Sequence, residues 1–433
     1  MPEPQARRKG TPGRKAIWIM SVKAGDVVEL TMEQVAFGGE GIGRCGNMVV
    51  FVPYTVDGDT ARIEILECRK RYARGRLQEI LQPSPHRTPP YCEDYIRCGG
   101  CCYQHIAYTH QLLLKETQVR DAFKRIGRMP SPPLRPVIAS PEPYHYRLKA
   151  DFHLRRDKDR PLRLGLMSGS SHRIVEIKHC EIVDESINNQ YHDFQDNLIN
   201  GLWVPITDRI IFWSADHEGN APRTNPKISK ADWITRTVKN RMLMVHHDGF
   251  FQANQYLIDK MVDLVTTASN LSGSEMVVDG FCGSGFFSLF LAPLAKTVHG
   301  IEGNGRAIQA AKKNAENSGL QNLFFYKGDV AEALRRVFFN PPVQVNVLVL
   351  DPPRVGCGKE LLENTLRLGP ERIVYVSCNP ATQARDIQRL VSGGYRLEYL
   401  QPLDMFPQTA HIEVIALLRR QLSPITLDSP RKI

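Results

Sequence analysis

Cys378, in Ser377-Cys378-Asn379-Pro380, closes the apolar run Arg372-Ile-Val-Tyr-Val-Ser377, a position suited to a nucleophile. A second apolar run, residues 345–350, ends in Asp351-Pro352-Pro353-Arg354. Downstream, residues 410–418 carry Glu413 inside an otherwise apolar strand pattern, where an unpaired charge is costly and has either a partner or a task. A thiol and two carboxylates in one crevice can perform covalent addition and proton transfer. Most cysteines are buried and inert, so Cys378 gains meaning only in conjunction with the segments upstream.

Both runs are short, β-branched and bounded by Asn or Pro, as buried parallel strands are. In open α/β sheets, ligands collect at the carboxyl ends of such strands. Met276-Val-Val-Asp279-Gly280-Phe281-Cys282-Gly283-Ser284-Gly285 is a strand entering a glycine turn, and residues 286–294 read as an apolar helix. Residues 297–302 form a further strand pattern ending in Glu302, placed to hydrogen-bond ribose hydroxyls. Residues 322–330 follow, with Asp329 at the strand's end. Neither the full G-x-G-x-x-G spacing nor a P-loop is present, so a pyrophosphate or triphosphate lacks its usual cradle. The ordered set, acid with glycine turn, ribose acid, adenine-side acid, Asp-Pro-Pro, predicts a Rossmann-like α/β sheet that takes S-adenosylmethionine.

A second constellation is Tyr91-Cys92-Glu-Asp-Tyr-Ile-Arg-Cys98-Gly99-Gly100-Cys101-Cys102, with Cys180 remote in Lys178-His-Cys-Glu-Ile. Structural zinc sites more often pair two C-x-x-C knuckles, and only one is present. Closely spaced thiolates with a distant fourth suit an iron–sulfur cluster, with zinc as the alternative. Cys102, Cys45, Cys68, Cys282 and Cys357 read as structural.

With 433 residues, the chain suffices for two or three domains with real cores. Its ten cysteines, gathered around one metal-like cluster, point to a reducing cytosol and not to a disulfide framework. No apolar run is long enough for a membrane span, and the basic start, Arg7 to Lys15, lacks the core of a secretory signal. A formal net charge of +10 favours a polyanionic partner. Its placement sharpens that reading, because Glu67-Cys-Arg-Lys-Arg-Tyr72-Ala-Arg-Gly-Arg76 interleaves basic residues with a tyrosine in a strand-rich region. Residues 26–81 alternate in short segments broken at 37–43 and 56–59, as expected of a small β-barrel. The expected organisation is a disordered basic tail (1–20), an OB-like barrel (21–82), a Pro-rich joint from residue 82 to 90, a central α+β domain with the cysteines (83–245) and a catalytic sheet (246–433). A helix is expected over 112–128, packing elsewhere, and a loose end from 423.

Phe250-Phe-Gln-Ala-Asn254, Asp279 to Gly285, Asp351-Pro-Pro-Arg354, Ser377-Cys-Asn-Pro-Ala-Thr-Gln-Ala-Arg-Asp386 and Asp404-Met-Phe-Pro-Gln-Thr-Ala-His-Ile-Glu413 together resemble the blocks of the RNA uracil-C5 methyltransferases. The resemblance implies that Cys378 is the nucleophile and Glu413 the general base. It places Gln252, Phe281, Glu302 and Asp351 around S-adenosylmethionine, with Asp329 beside the adenine. It further implies a 4Fe–4S cluster on Cys92, Cys98, Cys101 and Cys180, a TRAM-type RNA-binding barrel, and a cytoplasmic monomer. The implied partner is RNA, 23S rRNA in preference to the T-loop of tRNA. Phe286 and Gln408 depart from the family pattern, where Asn and His are commoner. Arg354 occupies the place of the aromatic that exocyclic-amine methylating enzymes carry, and no cysteine adjoins Asp351-Pro-Pro as in cytosine-C5 enzymes, so uracil fits best. A non-catalytic RNA-binding iron–sulfur protein is the contrasting class; retention of Cys378, Glu413 and the cofactor residues favours the enzyme.

Overall fold

The computed structural model describes residues 22–155, 162–169, 171, 173–200, 208–214 and 233–421; the expected basic tail (1–20) and loose end (423–433) lie outside them. The described residues form two compact units, 22–36 with 40–85 and 37–39 with 86–421.

In the first unit, β1 (Val27–Val35), β2 (Glu40–Cys45), β3 (Met48–Pro53), β4 (Thr60–Cys68) and β5 (Tyr72–Gln82) close a barrel in the order β1-β2-β3-β5-β4. Period-two alternation turns Leu30, Met32, Val50, Val52, Ala61, Ile63, Ile65 and Ala73 inward. The break expected at residues 37–43 is narrower than the sequence suggests, because Gly41 and Gly43 belong to β2. A Cβ on Gly41 would lie 2.0 Å from Thr55 Oγ1, so this glycine serves close approach and not a turn. The basic stretch is partly neutralised: Arg69 pairs with Glu67, Arg74 with Glu40 at 2.6 Å and Arg76 with Glu64 at 2.5 Å.

In the second unit, the expected helix is α1 (Tyr108–Arg125). A four-stranded sheet follows from β6 (Lys149–Arg155), β7 (Arg163–Met167), β8 (Ile174–Val175) and β9 (Arg209–Trp213), ordered β8-β7-β6-β9. The helix α2 (Glu185–Ile199) covers it, burying Tyr191 and Phe194 against Phe152 and Phe212. A hairpin, β10 (Trp233–Val238) and β11 (Arg241–His246), leads into the large sheet.

That sheet alternates strand and helix: α3 (Ile258–Ser269), β12 (Met276–Gly280), α4 (Ser288–Leu291), β13 (Thr297–Glu302), α5 (Gly305–Asn317), β14 (Leu323–Lys327), α6 (Val330–Phe338), β15 (Val347–Leu350), α7 (Lys359–Leu368), β16 (Arg372–Ser377), α8 (Pro380–Ser392), β17 (Tyr395–Leu403) and β18 (Glu413–Arg420). Its order is β14-β13-β12-β15-β16-β18-β17, parallel from β14 to β16, with β18 antiparallel to both its neighbours. Both faces are buried. Val277, Val347, Val349, Val374 and Val376 pack towards α3 and α4, while Val278, Leu348, Leu350, Ile373 and Tyr375 pack towards α6, α7 and α8. The strand direction of winding reverses between β12 and β15, which is where such sheets open a ligand crevice.

Three local expectations need correction. The apolar stretch 286–294 holds only four α-helical residues before a 3₁₀ turn, because Pro293 cannot donate to the helix. Asp329 lies beyond β14 and caps α6, accepting from Glu332 N at 3.1 Å. Glu413 is the first residue of β18 and not an interior one.

The segment between β17 and β18 is held by α1 from far away in sequence. Lys115 Nζ and Asp404 Oδ1 form a fully buried pair at 2.6 Å, and Lys115 also donates to Phe406 O at 3.0 Å. Gln111 and Gln408 bond reciprocally, Nε2 to Oε1 at 3.0 Å and backbone N to Oε1 at 3.1 Å. The departure at Gln408 is therefore structural here. Removing one member of a buried pair leaves an uncompensated charge, so Lys115→Met should lose about 3–5 kcal/mol in urea unfolding, and the double change Lys115→Met/Asp404→Leu should recover most of it.

Candidate active site

The register of the sheet assembles the site. β16 runs antiparallel to β18 with Ser377 opposite Val414, so the residues one step beyond, Cys378 and Glu413, emerge side by side. β15 runs parallel to β16 with Leu350 level with Tyr375, which brings Asp351 to the same edge. Gln383 of α8 ties the two strand ends, donating through Nε2 to Tyr375 O at 2.9 Å and Val414 O at 3.0 Å. Asn379 caps α8 by accepting from Ala381 N at 3.1 Å, which turns the chain sharply after Cys378. The loop after Asp351 is clamped by buried Asp386, which accepts from Cys357 N at 2.7 Å and Tyr375 Oη at 2.8 Å.

Charge dominates this edge. Burial, then repulsion from Asp351, pushes the Glu413 carboxyl well above the usual range, against the opposing pull of Arg354. The Cys378 thiol is pushed up to about 11 by burial and by Glu413, while the positive charge of Arg354 pulls it down. Asp279 is buried and pushed up to about 7 by desolvation, with Glu302 adding to the shift and the Ser288 hydroxyl, 2.5 Å away, opposing it. Asp351 also reaches about 7, through burial and Asp279. Asp279 Oδ1 is buried with no hydrogen-bond partner among the described residues. Two carboxyls starved of positive charge, one with an orphaned oxygen, suit a cationic ligand, and a sulfonium with an ammonium group is one.

The turn after β12 supplies backbone for such a ligand. Phe281 is held at φ 65°, left-handed for a bulky residue, with its N–H bonded to Ile301 O at 2.9 Å. Gly283 also has positive φ, and a Cβ there would meet nothing within 4 Å, so the turn stays open. The Glu302 carboxylate accepts from Gly283 N at 3.1 Å and Asn304 N at 2.7 Å, which fixes its orientation while leaving lone pairs for ribose hydroxyls. Gln252 is buried beside Phe251, whose ring packs edge-on to Phe286 at 5.8 Å, at the same turn. Phe286 thus joins the apolar cluster with Phe287 and Phe290 and offers no polar contact. Asp329 is exposed, with one oxygen spent on its cap.

Sequence reading missed His411, which accepts from Arg354 at 3.2 Å, and undervalued Asp279; the one available signal was an acid at the end of an apolar strand.

Cys92, Cys98, Cys101 and Cys180 line one cavity of about 260 Å³. Cys98 lies on a loop paired to Ser168, and Cys180 N is held by Asn188 Oδ1 at 2.9 Å. The Gly100 amide donates to Cys98 Sγ at 3.4 Å, and burial raises all four thiols, that of Cys180 to about 11. Cys102 is not among the lining residues; its backbone N–H donates to Gln408 O at 3.1 Å.

Residues 227–421 match the family model of tRNA (uracil-5-)-methyltransferases, and residues 21–77 match the TRAM domain. An RNA methyltransferase of Halalkalibacterium halodurans is 32% identical over 449 aligned positions, covering 92% of this chain and 98% of that protein. One from Gloeobacter violaceus is 33% identical, covering 92% and 97%. The Pyrococcus abyssi tRNA (uracil-54, C5)-methyltransferase, solved with S-adenosyl-L-homocysteine, shares the fold with a TM-score of 0.69 at 24% identity, covering 90% of this chain and 100% of that one.

Because Asp279 and Asp351 hold protons up to about 7, a cation binds in competition with them below that pH. S-adenosylmethionine affinity should fall roughly tenfold from pH 8 to pH 6, with proton release on binding at pH 7. Calorimetry in buffers of different ionisation enthalpy checks this; a flat profile contradicts the shifts.

Proposed function

The chain belongs to the tRNA (uracil-5-)-methyltransferase family, S-adenosylmethionine-dependent enzymes acting on RNA, and from that membership we propose that it converts a uridine of 23S rRNA to 5-methyluridine by covalent catalysis through Cys378. The observation that carries the mechanism is the strand register that sets Cys378 beside Glu413, with Asp351 at the same edge.

Uracil C5 is a poor nucleophile towards a methyl sulfonium. Addition of the Cys378 thiolate at C6 moves the C5–C6 electron pair towards the C4 carbonyl and makes C5 nucleophilic. Phe281 and Glu302 near the β12 turn, with Asp351 after β15 and Gln252, would hold S-adenosylmethionine, which would supply the methyl group. C5 then bears both methyl and hydrogen. Glu413, with its raised proton affinity, accepts that proton, the C5=C6 bond re-forms and the thiolate of Cys378 leaves. Burial first, then Glu413 and Asp351, keep Cys378 a thiol at rest, so its proton passes to solvent before the thiolate adds. A positive charge beside Asp351 relieves that opposition, so cofactor binding favours the thiolate.

The four cysteines support a 4Fe–4S cluster. Among the described residues no three of their sulfurs lie within 4.8 Å of one another, whereas tetrahedral zinc with bonds of ~2.3 Å needs sulfurs about 3.8 Å apart. An amide-to-sulfur hydrogen bond and a cavity lined by all four suit the larger group. The cluster would tie the loop bearing Cys98 and Cys101 to the start of α2 and supply no electron to the methyl transfer. The cysteine set and the barrel also favour the ribosomal target. The solved relative's tRNA substrate keeps a T-loop uridine as the second reading. Mapping 5-methyluridine by mass spectrometry in RNA from cells lacking the protein decides between them.

With Cys378→Ala, methyl transfer should drop to background while the cofactor still binds. Glu413→Gln should methylate without release, so that a covalent protein–RNA species accumulates on ordinary uridine; loss of both species would make Glu413 a positioning group. Protein purified without oxygen should be brown and contain iron and sulfide, and replacing Cys98 or Cys180 should cost solubility or RNA affinity more than it costs chemistry. A colourless protein holding one zinc would overturn the cluster.

A further inference from the structure

Arg354 is exposed, and holding an arginine in one geometry costs up to about 2 kcal/mol of rotamer entropy. Its backbone is fixed, because Asn379 Nδ2 and Thr382 Oγ1 both donate to Arg354 O at 3.1 Å. The guanidinium donates through Nη2 to His411 Nε2 at 3.2 Å, and its positive charge favours ionisation of the Cys378 thiol. A guanidinium has no lone pair to give, so His411 must be the acceptor and its imidazole must be neutral. Its surroundings enforce that state. Burial acts first, then the cations Arg354, Lys115 and Arg147, and together they bring His411 down to about 4. Phe406 packs edge-on against the ring at 5.9 Å, and Thr409 Oγ1 accepts from His411 N at 3.2 Å. The loop that carries it is pinned by the Lys115–Asp404 pair.

We propose that His411 is a positioning residue for the nucleophile: its Nε2 lone pair anchors the Arg354 guanidinium against the Cys378 sulfur, so that positive charge stands where the thiolate forms. The inference rests on the reading of Cys378 as nucleophile and adds the residue that orients its counter-charge. His411 touches neither the reacting carbons nor the sulfur in this role. It acts through Arg354, and an acceptor at the same place would substitute for it.

The test is the pH profile of iodoacetamide alkylation at Cys378, read by peptide-resolved mass spectrometry on the full-length protein without RNA or cofactor. His411→Phe keeps ring packing and removes the acceptor; it should slow alkylation at pH 8 about tenfold, one unit of thiol pKa. His411→Gln retains an acceptor and should stay within roughly threefold of wild type. Arg354→Ala should match His411→Phe, and the double variant should be no slower than either. Should His411→Phe prove unstable, the Gln variant in wild-type and Arg354→Ala backgrounds carries the test, its small effect vanishing in the second. A wild-type profile for His411→Phe, or an effect of His411 that persists without Arg354, overturns the proposal. Methylation surviving Cys378→Ala would sink the nucleophile reading separately, because the alkylation profile needs no turnover.

Discussion

Three carboxyls, Asp279, Asp351 and Glu413, share one low-dielectric edge of the large sheet, and the site is organised around the cost of putting them there. Each is pushed above its ordinary proton affinity by burial, and mutual repulsion adds to it, Asp279 on Asp351 and Asp351 on Glu413. Such a group persists only if protons, cations or hydrogen bonds compensate it. Arg354 supplies part of the compensation near Glu413 and Cys378, and Ser288 supplies a hydrogen bond to Asp279. The remainder is a demand for positive charge at the β12 turn, met by a cationic cofactor and by protons in its absence. The raised proton affinities of the carboxyls and of the Cys378 thiol are thus consequences of one electrostatic arrangement.

The second constraint is mechanical. Residues 404–412 connect β17 to β18 and present His411 and Glu413, yet most of their anchors come from the beginning of the second unit. Lys115 and Gln111 of α1 hold Asp404 and Gln408. Cys102 N and Tyr103 N both donate to Gln408 O, at 3.1 and 3.0 Å, and Tyr146 Oη donates to Pro407 O at 3.0 Å. Cys101 is the immediate neighbour of one of these donors. The cysteine-bearing loop and the segment 404–412 are therefore bonded to each other directly, which gives the central region a place in the geometry of the candidate site. α1 belongs to the same packing, with Val119 and Phe123 in the core formed by α6, α7 and α8.

The RNA-facing properties are less concentrated than the net charge suggests. On the barrel, Arg62, Arg69, Arg74 and Arg76 each pair with glutamates, so the cationic surplus is moderated where the sequence looks most basic. Exposed pairs of this kind are worth little, and phosphate can exchange into them. What remains on the barrel is a sequence-independent attraction for a polyanion.

Sequence alone determined the family of RNA methyltransferases and most of the frame. β-branched runs bounded by Asn, Pro and Gly marked β12, β13, β15 and β16, because a strand buried on both faces has no other way to be written. The residues at their carboxyl ends were readable as a crevice, because parallel topology forces those ends together. The cysteine spacing, the barrel and the glycine turn were legible for the same local reasons. Only the tertiary structure decided what depends on long-range pairing: that Glu413 starts its strand and stands opposite Cys378, that Gly41 is packed against Thr55, that Phe286 turns into the core and Asp329 out to a helix cap. The His411–Arg354 contact and the clamp of α1 on residues 404–412 join positions 57 and 289 residues apart. No periodicity records such a contact, since either partner could be satisfied by water until the fold removes it.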